Sequence, residues 1–221
     1  SFVMEAIATT YPDFVFNQVF ACDNRFGVRQ WIDSVVNPKR TASGQEKMCI
    51  FKDIIHLASE TAECHVHGRR CRVTDANIII GCSSCKDLSN LQGKPSGAPV
   101  LGREHSPGGT AVTWQGLLGY LDHHLVDVVI YENSDNLDDG TSSDGLQDVS
   151  NLGIFNEKFS MRGFEGQNMV LESLQFGTSA RRRRFWSVQV RTKGSLGCIE
   201  FAGGRSVTDI FKTFRGLLSL C

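Results

Sequence analysis

Three consecutive isoleucines, Ile78-Ile79-Ile80, run without a polar break into Gly81-Cys82-Ser83-Ser84-Cys85-Lys86-Asp87-Leu88-Ser89. So short an unbroken β-branched run reads as a strand buried on both faces, the kind parallel sheets use. Residues 48–51 and 126–131 have the same character, and 15–23 and 185–191 also read as strands. Helical apolar spacing occupies residues 2–10, 25–36 (Trp31 and Ile32 inward) and 110–123. Residues 168–173 read as a short helix or a strand lead-in, and 93–109 and 135–150 as loops. Strands alternating with helices predict an α/β domain.

A parallel sheet brings the carboxyl ends of its strands to one edge, where its crevice lies. Reactive side chains recur at these ends: Asp23, Asp53, Cys85 and Glu132. A cysteine so placed can be a metal ligand, half of a redox pair, or a nucleophile. Cys82-x-x-Cys85 has zinc-knuckle spacing, with Cys64, His65, His67 and Cys71 upstream. A second Cys-x-x-Cys is missing, and Cys82, one residue past a buried strand, reads as a packed small hydrophobe. No metal site is therefore assigned, and His65 and His67 read as a solvated loop. A thioredoxin-like pair is disfavoured because that fold is about half this length. A nucleophilic Cys85 has a carboxylate on the same edge, Glu132.

The 221 residues carry a net charge of −1, with 41% hydrophobic and 21% charged side chains. That is a globular composition with no overall positive field, and no apolar run approaches the ~18 residues of a membrane span. Positive charge is concentrated in Arg181-Arg182-Arg183-Arg184. If Phe185 starts a strand, Arg182 and Arg184 share one inward face and Arg181 and Arg183 turn outward. The eight cysteines are scattered, which implies reduced thiols and an intracellular protein. Ser1 opens directly into an apolar helical stretch, so the start reads as cut.

Three motifs in order resemble the DNA (cytosine-5) methyltransferase family. Ser83-Ser84-Cys85-Lys86-Asp87-Leu88-Ser89 stands where the family has Pro-Pro-Cys-Gln-x-Phe-Ser, and Glu132-Asn133-Ser134 where it has Glu-Asn-Val. Arg182 and Arg184 match its Gln-x-Arg-x-Arg, with Ala180 in place of the glutamine, and Gly108-Gly109-Thr110 resembles the opening of a family helix. The family's Phe-x-Gly-x-Gly loop has no counterpart.

The resemblance implies a doubly wound, Rossmann-like S-adenosylmethionine-dependent methyltransferase sheet lacking its first strand. It implies a partial catalytic domain over residues 1–193, with 194–221 starting a target-recognition region or forming a truncated tail. Cys85 would be the nucleophile, Glu132 the acid, and Arg182 and Arg184 the cations that position the substrate. Asp23 would take the ribose of S-adenosylmethionine and Asp53 its adenine. The implied partner is DNA. A tRNA cytosine-5 methyltransferase and an inactive nucleic-acid-binding relative are the alternatives. The 93–109 loop matches a family loop that closes on DNA.

Overall fold

The structure, a computed structural model, describes Thr9 and residues 16–88, 99–104, 109–137, 150–176 and 181–192. The expected helix at 2–10, apart from helical Thr9, and the boundary at 193/194 lie outside these residues. The chain divides into two units, Ser1–Thr74 and Asp75–Cys221. Among the described residues, no helix is long and apolar enough to cross a membrane.

In the first unit, β1 (Phe20–Cys22) and β2 (Cys49–Phe51) pair in parallel, connected by α1 (Phe26–Ala42). The sequence pattern ends this helix near Val36, before Asn37-Pro38, yet it runs through Pro38 to Ala42. Side chains hold the added turn: Thr41 Oγ1 donates to Asn37 O at 2.6 Å, and Arg40 Nε donates to Glu46 O at 2.9 Å. Asn37, buried, accepts Met48 N at 2.7 Å and so ties the helix to the lead-in of β2. Trp31 is 53% exposed rather than inward; Arg29 and Asn37 are the buried residues of α1. Residues 64–74, expected as plain surface, include half of an antiparallel hairpin, β3 (Thr61–Glu63) with β4 (Arg70–Arg72).

The second unit is built on a four-stranded sheet in the order β5-β6-β8-β7. β5 (Ile78–Gly81) pairs in parallel with β6 (Val128–Ser134), while β8 (Arg183–Arg191) is antiparallel to both β6 and β7 (Phe164–Glu172). The sheet is therefore mixed, not wholly parallel. Residues 168–172 belong to β7, where nine register pairs with β8 override the weak local pattern. The helices are α2 (Thr110–His123) and α3 (Asn151–Ser160).

The core of this unit is aromatic. Trp114 of α2 stacks on Phe155 of α3 at 5.3 Å, and both rings meet Tyr131 of β6, at 5.8 and 5.1 Å. Phe155 also meets Phe185 of β8 edge-on at 5.5 Å. All four residues are at most 1% exposed, the burial that makes large aromatics dominate core energetics.

Candidate active site

β5 is the shorter partner in the parallel pair, ending at Gly81 opposite Tyr131. β6 runs on because β8 supplies partners: Glu132 faces Trp186, Asn133 faces Phe185 and Ser134 faces Arg184. Glu132 therefore stands inside β6 rather than after it, one residue beyond the end of the parallel register. The Cys85 loop leaves β5 at the same level.

Period-two alternation separates the roles along β6. Tyr131 and Asn133 turn into the aromatic core and are at most 1% exposed. Glu132 turns to the opposite face, with Trp186 and, two residues along, Arg184. Arg184 Nε lies 3.0 Å from Glu132 Oε1, with the side chains 25% and 31% exposed. Burial pushes the Glu132 carboxyl above the usual range, and the Arg184 and Arg182 guanidiniums offset that only in part. The result is an acid that holds its proton to higher pH than a solvated glutamate, which a group donating a hydrogen bond to a substrate nitrogen requires.

The arginine block divides at the first register pair of β8, Arg183 with Glu172. Arg184 lies within the strand and turns to Glu132, as its spacing predicts. Arg182 precedes the register, so no alternation turns it inward; it is exposed, and its amide donates to Ser173 Oγ at 3.1 Å. Arg181 and Arg183 are exposed and face acids, Glu172 at 2.5 Å and Asp135 at 3.7 Å.

Cys85 is exposed, and its carbonyl opens the short turn Lys86–Leu88 by accepting Leu88 N at 3.2 Å. The loop around it is fastened at four points. Ser83, 3% exposed, lies with its Oγ 2.6 Å from the Tyr131 hydroxyl. Asn133 Nδ2 shares its two hydrogens among Ser83 Oγ at 3.0 Å, Ser83 O at 3.2 Å and the Tyr131 hydroxyl at 2.9 Å. Ser84 N donates to Thr113 Oγ1 at 2.8 Å. Asp87 and Thr110 bond reciprocally: Thr110 N donates to Asp87 Oδ2 at 3.0 Å, and Asp87 N to Thr110 Oγ1 at 3.2 Å. Asn136 Nδ2 donates to Leu88 O at 2.6 Å.

The Asp87–Thr110 exchange is a capping interaction made across space. The α2 N-terminus opens at Gly109 with φ +78°, and the Asp87 carboxylate accepts one of its orphan amides. Burial holds the Tyr131 phenol well above its ordinary range, so it remains a neutral partner for Ser83 and Asn133.

Ser83, Tyr131, Thr113, Asp87, Thr110 and Asn136 were not identified as site residues from sequence. Asn133, like Ser83, Asp87 and Thr110, was noted only as part of a motif. Cys82, expected to be packed, is exposed, because Ser83 takes the inward position. The expected loop at 93–109 is anchored where it is described: Val100 and Leu101 are 2% and 4% exposed, and Leu101 N donates to Asn151 Oδ1 at 3.0 Å.

In the first unit, Asp23 follows β1 and Asp53 follows β2, at the same edge of one parallel pair. Asp53 caps the short turn Ile54–His56, its Oδ1 accepting Ile55 N at 3.2 Å, and Asp23 Oδ1 accepts Arg25 N at 2.8 Å just ahead of α1. Both charges also reach Cys22, whose thiol is pushed up to about 12 by burial first and then by Asp53 and Asp23. A carboxylate has about four lone-pair sites, so capping leaves acceptor capacity. Two carboxylates at one strand edge can accept hydrogen bonds from hydroxyl or amino groups of a ligand.

No protein-family profile and no curated protein matches the chain. Among solved structures it is similar to the Dnmt2 methyltransferase of S. pombe, with a TM-score of 0.52 and 14% identity, covering 95% of this chain and 50% of that one. The chain has a methyltransferase fold. At this identity the likeness concerns the fold alone, the Rossmann-like one of C5 methyltransferases. A mutant of Spodoptera frugiperda DNMT2 (TM-score 0.47, 15% identity, 86% of this chain and 47% of that one) and the Entamoeba histolytica methyltransferase EhMeth (0.43, 10%, 86% and 50%) also match. The chain spans about half the length of these structures.

Proposed function

We propose that this protein transfers a methyl group to carbon 5 of a flipped-out cytosine in DNA, with Cys85 as nucleophile and Glu132 as acid. The observation that carries the reading is the pairing of β5 with β6. It puts a fastened, exposed cysteine and a part-buried glutamate, whose carboxyl burial pushes above the usual range, past the end of one parallel register.

Cytosine C5 is a poor nucleophile. The Cys85 thiolate forms a bond to C6 while Glu132 hydrogen-bonds or protonates N3, and the electron pair displaced from the C5–C6 double bond makes C5 enamine-like. That pair goes into the new bond from C5 to the methyl group; loss of the C5 proton then leaves the C5–H pair to restore the double bond, and the sulfur of Cys85 takes back the S–C6 pair. Arg184, through its ion pair, orients the Glu132 carboxyl. Arg182, exposed beside it, suits a phosphate or the flipped nucleotide. Extruding the base costs a few kcal/mol, which contacts of this kind repay. S-adenosylmethionine supplies the methyl group when bound, and Asp23 and Asp53 would hold its adenosine.

The test is transfer of radiolabelled methyl from S-adenosylmethionine to duplex DNA and, separately, to tRNA. Label recovered as 5-methylcytosine in DNA and lost in Cys85→Ser supports the reading. Label in tRNA alone sinks the DNA substrate. Binding of either nucleic acid with no label sinks the enzyme.

A further inference from the structure

Three thiols and one imidazole converge in the first unit. Cys49 opens β2, Cys64 follows β3, His67 lies in the hairpin turn and Cys71 is in β4; their ligand atoms all lie within 4.8 Å of one another. His67 Nδ1 is 3.3 Å from the Sγ of Cys64, 3.5 Å from that of Cys71 and 3.6 Å from that of Cys49.

One ring nitrogen carries either one hydrogen or one lone pair, so hydrogen bonding accounts for one of these contacts and not three. A shared ion accounts for all of them. With Zn–S near 2.3 Å and Zn–N near 2.05 Å, a tetrahedron has S···N edges of roughly 3.6 Å and S···S edges of roughly 3.8 Å. The three S···N separations, 3.3 to 3.6 Å, are close to that edge length. We propose that Cys49, Cys64, His67 and Cys71 form a closed Cys3His site for one zinc ion.

The backbone explains how residues so far apart in sequence meet. Cys71 pairs with Ala62, and Cys64 follows Ala62 by two, so both thiols fall on one face of the hairpin. An antiparallel bridge sets Cys64 beside Phe51, and His65 N donates to Ile50 O at 2.7 Å, which folds the turn over β2 and its first residue, Cys49. Gly68, with φ +62°, lets the chain reverse so that Cys64 N reaches Arg69 O at 3.0 Å. Cys64 is 1% exposed, His67 is exposed, and the other two thiols are intermediate.

Thiolate-rich tetrahedral sets select zinc over calcium or magnesium, and four protein ligands leave no open position, so the role is structural. Strands of three residues make a hairpin too short to stand unaided. The ion would pin it to β2, whose end carries Asp53. The site is independent of the methyl-transfer reading.

The experiment is metal analysis of the reduced protein, followed by replacement of zinc with cobalt(II). The expected result is one zinc per chain. The cobalt form should show the strong visible absorption of a tetrahedral centre and thiolate-to-cobalt charge transfer. Cys64→Ser, Cys71→Ser and the exposed-site variant His67→Ala should lose the metal, while Cys82→Ser and Cys85→Ser keep it. The wild-type cobalt spectrum needs no variant to fold. The proposal is overturned by metal-free reduced protein that does not take up added zinc, by a weak octahedral cobalt spectrum, or by zinc retained in Cys64→Ser and Cys71→Ser.

Discussion

Replacing Asn133 with alanine should loosen the Cys85 loop without touching the cysteine. The amide links Ser83 Oγ, Ser83 O and the Tyr131 hydroxyl, and its own oxygen accepts Ser134 N at 2.7 Å. After truncation, Ser83 Oγ and the Tyr131 hydroxyl still have each other at 2.6 Å. The Ser83 carbonyl and the Ser134 amide lose these partners. Each buried polar group left unpaired costs about 1–3 kcal/mol, so the variant should lose roughly 2–5 kcal/mol. That is a large share of the ~5–15 kcal/mol that holds a typical domain together. Ser83→Ala removes one hydroxyl and should cost about 1–2 kcal/mol. The two changes share contacts, so a double-mutant cycle should give a coupling of about 1 kcal/mol or more. Urea unfolding reads the stabilities, and timed alkylation with mass spectrometry reads whether Cys85 labels faster. A loss in Asn133→Ala below about 0.5 kcal/mol, the range of ordinary surface substitutions, would refute the reasoning.

The Glu132–Arg184 pair gives a titration result. Arg184→Ala removes the largest influence lowering the Glu132 carboxyl, so its NMR titration should move to higher pH, while Arg181→Ala should leave it in place. Stability has a defined sign here. The folded-state value is raised, so the folded protein binds more protons above the ordinary glutamate value. Stability therefore falls as pH rises from that value through the raised one, and Glu132→Gln should flatten this decline in pH-dependent thermal melts. Asp87→Ala removes the carboxylate that caps α2 and should cost about 1 kcal/mol by urea unfolding, and Asp87→Asn should recover most of it.

Local pattern was enough to find β1, β2, β5, β6 and β8, but not the β3–β4 hairpin or most of β7. The isoleucine run forms the expected strand, half-buried rather than buried on both faces, so Cys85 could be placed just beyond it from sequence alone. Alternation from Phe185 set the face of Arg184, but its ion pair with Glu132 depends on the β6–β8 register. What escaped depends on register between distant segments. Asp87 caps a helix that starts 23 residues later, and no local signal announces a cap made across space. Ser83 was legible as a substitution, but its use required knowing that Tyr131 and Asn133 share the inward face of β6. Cys49 lies fifteen residues before Cys64, a spacing outside the common zinc patterns, and only the bridge to β2 brings them together. The continuation of α1 past Pro38 was missed because side-chain bonds from Thr41, Arg40 and Asn37 outweigh the local rule.

The account rests on Cys85 as a nucleophile toward cytosine. Intact-mass analysis of the protein incubated with S-adenosylmethionine and duplex DNA containing 5-fluorocytosine tests this most directly, because fluorine at C5 blocks the proton loss that releases the enzyme. The expected result is a covalent protein–DNA species whose peptide map places the bond on Cys85, absent in Cys85→Ser and strongly reduced in Glu132→Gln. An adduct of equal yield in Cys85→Ser, or one mapped to Cys82, would contradict the account.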